Sequence, residues 1–315
     1  MWPPWPAPEL GMTVVVSDHH LPPPELPPAD AICNPRLGPE DDMPCPHLAG
    51  VGVAFFLMAA VNAALAPHTG RRFKMDRVLD LVALGTLADV MRLGGQNRIL
   101  VRGGLDKLAE AARPGIAALK TVSGSDAAAR LNAGQVVFRL APRINAAGRM
   151  GAADTALRLL RSKDHVEALR LARHLDALNT QRREEEERIW AAAREQARRQ
   201  LEQRQRPALV LYGGDWHPGI VGIVASRIVE EFYRPTIILC DDNNMMKGSG
   251  RSIREFDLYA GLQKTAHVLA GFGGHKLAAG VRLEPNQLER FREAFEQVVA
   301  DELGGVVRSE SPTMV

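Results

Sequence analysis

Runs of apolar residues, broken by proline, glycine and charge, divide the chain into predicted elements. Val14, Val15 and Val16 are three β-branched residues in a row and predict a buried strand. Residues 21–28 hold five prolines, Pro22-Pro23-Pro24 and Pro27-Pro28. Proline fixes φ and removes a donor, so an extended connector is expected there. Residues 29–33 predict a short strand ended by Asn34-Pro35, and residues 36–47 a further loop. An apolar helix is predicted from Leu48 to about Leu65, and Gly50 and Gly52 suggest that it packs closely on a sheet. Residues 75–84 keep helical spacing until Gly85 interrupts it. Residues 139–150 read as an arginine-bearing loop ahead of a helix at 152–161.

Residues 164–205 are predicted as helix in two pieces, the second capped by Asn179 or Thr180 with acidic residues in its first turns. Ile189, Trp190, Ala193, Ala197 and Leu201 keep helical spacing within a charged surround. Such a helix suits a bridge between domains. Beyond it come a strand at 208–212, a helix at 220–232, a strand at 235–240 and two glycine-rich loops at 247–252 and 271–276. The pattern predicts an α/β protein of two α/β domains joined by a long helix. The expected boundaries are 13–178, 179–206 and 207–303, with 1–12 a disordered leader and 304–315 a tail.

Composition narrows the class. A content of 46% hydrophobic and 24% charged residues fits an ordinary soluble globular protein, and 315 residues suit two domains. Lys and Arg number 39 against 37 Asp and Glu, so the formal charge is only +2. Nucleic acid would therefore have to meet a local basic patch. Cys33, Cys45 and Cys240 form no C-x-x-C pair and fit a reducing cytoplasm. The apolar run at 51–60 is shorter than a bilayer span, and the Trp- and Pro-rich start lacks the regions of a signal peptide. No membrane association is expected.

The candidate chemistry begins where the first strand ends. Asp18, His19 and His20 follow it directly, and open α/β sheets bind ligands beyond the C-terminal ends of their strands. Taken alone, the tripeptide reads better as a polar turn. Asp89 lies between Ala88 and Val90, where a carboxylate needs a partner. Alone it reads as a salt-bridged aspartate. Beside the Asp-His-His triplet it becomes a metal ligand, and mixed carboxylate and imidazole donors suit Mn²⁺ or Mg²⁺. Arg143, Asn145 and Arg149 could hold a phosphate. Ser249, Gly250, Arg251 and Ser252 match an anion nest with an arginine clamp. Gly273 and Gly274 let backbone approach a ligand, and His275 and Lys276 add a titratable and a cationic group.

In this order the motifs resemble the DHH phosphoesterase superfamily and, within it, the RecJ-like single-strand-specific DNA exonucleases. The resemblance spans residues 13–300 and rests on Ser17-Asp18-His19-His20, on the stretch from Leu84 to Val90 with Asn97-Arg98, and on Arg143-Ile144-Asn145-Ala146-Ala147-Gly148-Arg149. It continues through Asp215-Trp216-His217-Pro218-Gly219, Gly248-Ser249-Gly250-Arg251-Ser252 and Gly273-Gly274-His275-Lys276. It implies a DHH phosphoesterase domain and a DHH-associated substrate-binding domain. The implied activity is 5′-to-3′ hydrolysis of single-stranded DNA by two Mn²⁺ or Mg²⁺ ions, in repair and recombination. Single-strand-binding proteins or helicases are the implied partners. By the same resemblance His19 and Asp89 are metal ligands, and Asp18 is a ligand or orients a histidine. His20 meets metal or scissile phosphate. Arg143, Asn145 and Arg149 hold phosphate. Ser249, Gly250, Arg251 and Ser252 grip the DNA end, and His217, Gly273, Gly274, His275 and Lys276 face substrate from the second domain.

Two departures qualify what the resemblance implies. The family carries an Asp-x-Asp motif and a further aspartate ahead of its DHH motif, whereas only Glu9 precedes Asp18 here and no Asp-x-Asp occurs. The oligonucleotide-binding domain that the family carries next is not expected in the short polar stretch after Leu303. The first domain is therefore expected to be N-terminally truncated, to hold about one ion and to hydrolyse DNA slowly. Two other readings stay open: a phosphodiesterase of cyclic dinucleotides or short oligoribonucleotides, and a non-catalytic single-strand-binding module. Aromatic residues are only 5% of the chain. Phosphate contacts are therefore expected to dominate affinity, which should weaken with salt.

Overall fold

The computed structural model describes residues 10–23, 25–38, 45–127 and 129–304. Most of the expected leader, residues 1–9, and the expected tail at 305–315 lie outside the described residues. The chain divides into two compact units, Met1–Asn179 and Thr180–Val315.

Unit 1 opens with β1 (Val15–Ser17), paired in parallel with β2 (Ala31–Cys33), Val15 opposite Ala31 and Ser17 opposite Cys33. The strand is not the buried one predicted, since Val15 is 54% exposed. A pair of three-residue strands cannot be covered on both faces as a large parallel sheet is. Helix α1 (Gly50–Thr69) crosses α2 (Leu79–Ala88), and Gly85 marks the crossing rather than a break. A Cβ at Gly85 would lie 2.9 Å from Val51 Cγ1, so glycine admits the neighbouring helix. One mid-helix glycine costs only about 1 kcal/mol, which such packing offsets.

Helix α1 also corrects the expectation about length. Asn62 ends the apolar run but not the helix, because its side chain turns to the backbone N–H and C=O of Phe73. Among the described residues α1 is one helix long and apolar enough to cross a membrane by length and composition, and only Gly52 and Val53 in it are buried.

Helices α3 (Gly95–Glu110) and α4 (Pro114–Val122) complete the α2 layer. Leu84, Leu87, Val101, Leu108, Ile116 and Leu119 form its core. Two buried polar groups are paired within it. Arg113 Nε donates to Asp80 Oδ2 at 2.9 Å, and Lys120 Nζ donates to the Leu108 carbonyl at 3.1 Å in the last turn of α3. Burial pushes the Lys120 ammonium below the usual lysine range, with Asp126 opposing the shift.

The predicted arginine loop is helical. It comprises the short α5 (Ala133–Gln135), a π-helical turn at Val136–Leu140 and α6 (Ala141–Arg149). Asn132 and Gln135 form a reciprocal capping box that starts the run. Pro142 stands in the first turn of α6, where the π turn ends, and has no N–H to give the carbonyl four residues back. After α7 (Ala153–Arg161), α8 (His165–Gln203) is one helix of 39 residues, not two pieces. Asn179 is buried within it rather than capping it. Ala168, Leu171, Ala172 and Leu175 of α8 join the core of unit 1, and Ile189, Ala193 and Ala197 are buried in unit 2.

Unit 2 is a five-stranded sheet of order β3-β4-β5-β7-β6. Strand β3 (Leu209–Tyr212) connects through α9 (Val221–Phe232) to its parallel neighbour β4 (Thr236–Asp242). Strands β5 (Met245–Arg251), β6 (Gly271–His275) and β7 (Ala278–Leu283) add antiparallel. The two glycine-rich segments are thus strands, not loops. A Cβ on Gly248 would lie 2.5 Å from Leu239 Cδ2, so the glycine gives its place to the larger neighbour on the core face. Helices α10 (Leu258–Lys264) and α11 (Leu288–Glu302) cover that face with Leu262, Phe291, Phe295 and Val299, and Phe256 joins them from the turn before α10. Elsewhere α8 fastens to unit 2 through Trp190. Its ring lies 4.1 Å from the Arg227 guanidinium and 5.0 Å from that of Arg194, and Arg194 pairs with Glu231 at 2.6 Å.

Candidate metal and nucleic-acid site

Asp18, His19 and His20 stand at the end of β1, and each offers a ligand atom within 4.8 Å of the others. Asp18 organises the turn. Its Oδ1 accepts from the backbone N–H of His19 at 2.7 Å and of His20 at 3.2 Å, and meets His20 Nδ1 at 2.8 Å. Burial raises the Asp18 carboxyl, but the His20 side chain and these two amides outweigh it and hold the group below the usual carboxylate range. With Nδ1 held, the exposed His20 ring presents Nε2 outward. The His19 ring lies beside it, with centroids 4.4 Å apart, and its Nε2 is 3.5 Å from Asp89 Oδ2. That gap exceeds a good hydrogen bond and leaves both atoms facing a common space. Gly50, at the start of α1, cradles the ring: a Cβ there would lie 3.2 Å from His19 Cδ2.

Asp89 is 46% exposed by side chain, not enclosed in an apolar surround. It is the C-cap of α2, and the chain leaves by a Schellman turn, with Val90 N–H to the Leu87 carbonyl at 3.2 Å and Met91 N–H to the Thr86 carbonyl at 3.3 Å. The left-handed position of that turn usually takes glycine. Here Val90 occupies it at φ 55°, and a β-branched side chain is strained there. Asp89 is therefore aimed by a turn held against its own preference. The donor set fits a divalent ion of the Mn²⁺ or Mg²⁺ kind, since it pairs carboxylate oxygens with imidazole and uses no thiol.

The arginine-bearing helix α6 lies beside this corner. Asn145 Nδ2 donates to the Ala88 carbonyl at 3.1 Å, next to Asp89. Arg149 is exposed at the end of α6. Arg143 differs from what was expected of it. It turns inward, pairs with Asp176 at 2.7 Å and donates to the carbonyls of Arg139 and Val122. It holds α6 against α8, while Asn145 and Arg149 stay on the outer side.

In unit 2 Ser249, Arg251, Gly273 and His275 share the sheet face opposite the core. Ser249 and Arg251 alternate onto that face of β5. Ser249 and Gly273 are both in register with Gly280, and Arg251 and His275 are both in register with Ala278. The face thus has a floor of Gly273, Ala278 and Gly280, with Arg251 and His275 two strand spacings apart, roughly 10 Å. The start of α9 closes one side. A Cβ on Gly222 would lie 2.8 Å from Ser249 Oγ and 3.2 Å from Arg251 Nη2, so this glycine brings the helix N-terminus down to both. Arg251 Nη1 donates to Ser249 Oγ at 3.1 Å and to the Gly250 carbonyl at 2.8 Å. His217 Nδ1 accepts from the Gly219 amide at 3.0 Å, which leaves its Nε2 as the donor. Gly250 points into the core, and the Ser252 hydroxyl closes the following turn on the Phe256 carbonyl at 2.9 Å. Gly274, at φ 150°, would bring a Cβ to 2.4 Å from the Ala278 carbonyl, and Lys276 is exposed in the β6–β7 turn. Gly50 and Gly222, each in the first turns of a helix just after a polar motif, were not read as site residues from the sequence.

An Asp-His-His turn facing a helix-capping aspartate, with a separate glycine-floored sheet, defines a DHH-class protein. Residues 6–86 match the DHH family, N-terminal domain, and residues 205–301 the DHHA1 domain. The single-stranded-DNA-specific exonuclease RecJ of Dickeya dadantii is 43% identical over 323 residues, covering 95% of this chain and 55% of that protein. That of Bacillus subtilis is 40% identical over 300 residues, covering 94% of this chain and 36% of that protein. The crystal structure of RecJ with Mn²⁺ from Thermus thermophilus matches with a TM-score of 0.77 at 35% identity, over 93% of this chain and 42% of that one. A crystal structure of exonuclease RecJ bound to manganese matches with a TM-score of 0.76 at 35% identity, over 95% of this chain and 72% of that one. The chain belongs to the RecJ family, and it spans about half the length of the Dickeya relative and less of the Bacillus one.

Proposed function

We propose that the chain hydrolyses single-stranded DNA from a 5′ end, with Mn²⁺ or Mg²⁺ held by His19 and Asp89 beside Asp18 and His20. The observation that carries this reading is the approach of His19 Nε2 to Asp89 Oδ2 at 3.5 Å, two donors aimed at one space by a cradle glycine and a strained turn. Family membership and the manganese-bound relatives support it. When bound there, a divalent ion acidifies water and polarises a phosphoryl oxygen. The residues supply the rest. His20, its Nδ1 held by Asp18, faces the ion or the scissile phosphate from Nε2, and Asn145 and Arg149 hold the strand next to Asp89. Arg251 and Ser249, under the α9 N-terminus, bind a further phosphate on unit 2. The donors brought together suit one ion. On this reading the protein works in repair and recombination in the cytoplasm, beside single-strand-binding proteins or helicases. Three free cysteines suit a reducing compartment.

The test is digestion of 5′-phosphorylated single-stranded DNA, duplex DNA, a cyclic dinucleotide and a short oligoribonucleotide, each with Mn²⁺ and with chelator. Manganese-dependent release of nucleotides from the single strand, lost in His19→Ala, is the expected outcome. Cleavage of the dinucleotide or the short RNA alone would move the reading to a small-substrate phosphodiesterase. Binding without cleavage under every metal condition would make it a single-strand-binding module.

A further inference from the structure

Among the described residues Phe138 is the most exposed large hydrophobic side chain, at 81%. A lone exposed apolar residue is ordinary on a protein surface. Three features set this one apart. First, it sits in the middle of the π-helical turn Val136–Leu140, and single π turns inside helices recur at functional positions. Both ends of the turn, Val136 and Leu140, are buried, so the ring is held out by an anchored backbone rather than by a fraying end. Second, the turn packs on α2, the helix that Asp89 caps. Third, Asn145 and Arg149 follow Phe138 along the same unbroken helical run, and all three are exposed. Along the axis the ring is roughly 10 Å from Asn145, at 1.5 Å per residue. Beside it Arg139 is exposed and reaches Ser125 Oγ at 3.3 Å.

The exposed residues of this run are an aromatic face, an amide that reaches the Ala88 carbonyl beside the candidate metal corner, and a guanidinium. Every nucleotide offers the matching pair, a π face and a phosphate. We propose that Phe138 is a stacking platform for a base of the single strand whose phosphate lies at Asn145 and Asp89. The proposal rests on the functional reading above and deepens it: unit 1 would bind bases as well as phosphates. Stacking on a bare ring tolerates any base, so the platform adds affinity without sequence preference.

An abasic scan tests it. The chain is titrated, with Ca²⁺ in place of Mn²⁺, with 5′-phosphorylated oligothymidylates that each lack one base at a successive position. One abasic position should weaken binding about tenfold, the rest much less. Phe138→Ala should flatten that position, leaving Mn²⁺ binding and the melting temperature unchanged, and Phe138→Trp should restore it. If the unsubstituted chain binds the oligonucleotide and Phe138→Ala leaves the abasic profile unaltered, the platform is refuted and the functional reading stands. If the unsubstituted chain binds no single strand, both fall together.

Discussion

In unit 1 the candidate site is made of side chains at the ends of elements. Asp18, His19 and His20 follow a three-residue strand, and Asp89 caps a helix through a strained turn. In unit 2 the candidate site is made mostly of backbone and small residues in regular strands, with Ser249, Arg251 and His275 standing around Gly273, Ala278 and Gly280. The difference follows from the task of each face. Holding an ion needs a few donor atoms at fixed positions, which turns can aim. Cradling a chain of phosphates needs room and exposed peptide groups, which a sheet stripped of side chains offers. Unit 1 should therefore fail through single donor atoms, and unit 2 through added bulk.

The largest effect should come from the donors. Mn²⁺ at 100 times its dissociation constant should stabilise unit 1 by about 2.7 kcal/mol, read as hydrogen-exchange protection around β1 and α2. His19→Ala or Asp89→Ala should abolish that gain, and protection in unit 2 should not change. Protection rising equally in both units would break the contrast. Arg113→Met tests the frame of unit 1 instead. It leaves Asp80 buried without its ion pair, and urea unfolding should show a loss of about 3 kcal/mol.

Bulk is the corresponding probe of unit 2. Gly222→Ala should displace Ser249 and Arg251 and weaken single-strand binding about tenfold, while Mn²⁺ binding stays intact. Arg251→Ala should lower the slope of log affinity against log salt by about 1. An unaltered slope would remove Arg251 from the interface. The smallest effects are local. Val90→Gly should relieve the turn and raise stability by about 1 kcal/mol while loosening the aim of Asp89, so Mn²⁺ affinity should fall as stability rises. In unit 2, burial and then Asp242 push the Cys240 thiol up from its ordinary 9.0 to about 11. A group raised in the folded state contributes its full stability below its unfolded value and loses it as pH climbs towards the folded one. Stability should therefore fall between about pH 9 and 11 more steeply than in Cys240→Val, and equal slopes would exclude the thiol as the cause.

The strand-helix-strand start of unit 2 was legible from residue pattern alone. The Asp-His-His triplet, Asp89 and Arg251 were singled out by their order along the chain and the resemblance it carries, since taken singly they read as a turn, a salt bridge and a glycine-rich loop. Local conformation was less legible wherever glycine or proline acts in a packed context. Gly85, Gly248 and Pro142 carry the usual marks of turns, yet one admits a crossing helix, one makes room for Leu239 and one falls in a first helical turn. Arg143 shows the limit for side chains. Its neighbours in sequence include Asn145 and Arg149, but its partner, Asp176, is brought by α8. No local pattern announces a pairing at that separation. The π turn around Phe138 was equally hidden as a turn type, although Pro142, with no N–H for the carbonyl four residues back, stands just after it.

The packing of Trp190 and Trp216 has an optical consequence. Among the described residues these are the tryptophans, and both belong to unit 2. Trp216 is buried, its indole against Gly213, and Trp190 lies beside two guanidinium groups. With Trp2 and Trp5 replaced by phenylalanine, the emission of the chain becomes a private signal of unit 2. A blue-shifted band then tracks the folding of the sheet and its fastening to α8, while unit 1 stays dark and can be followed by its metal.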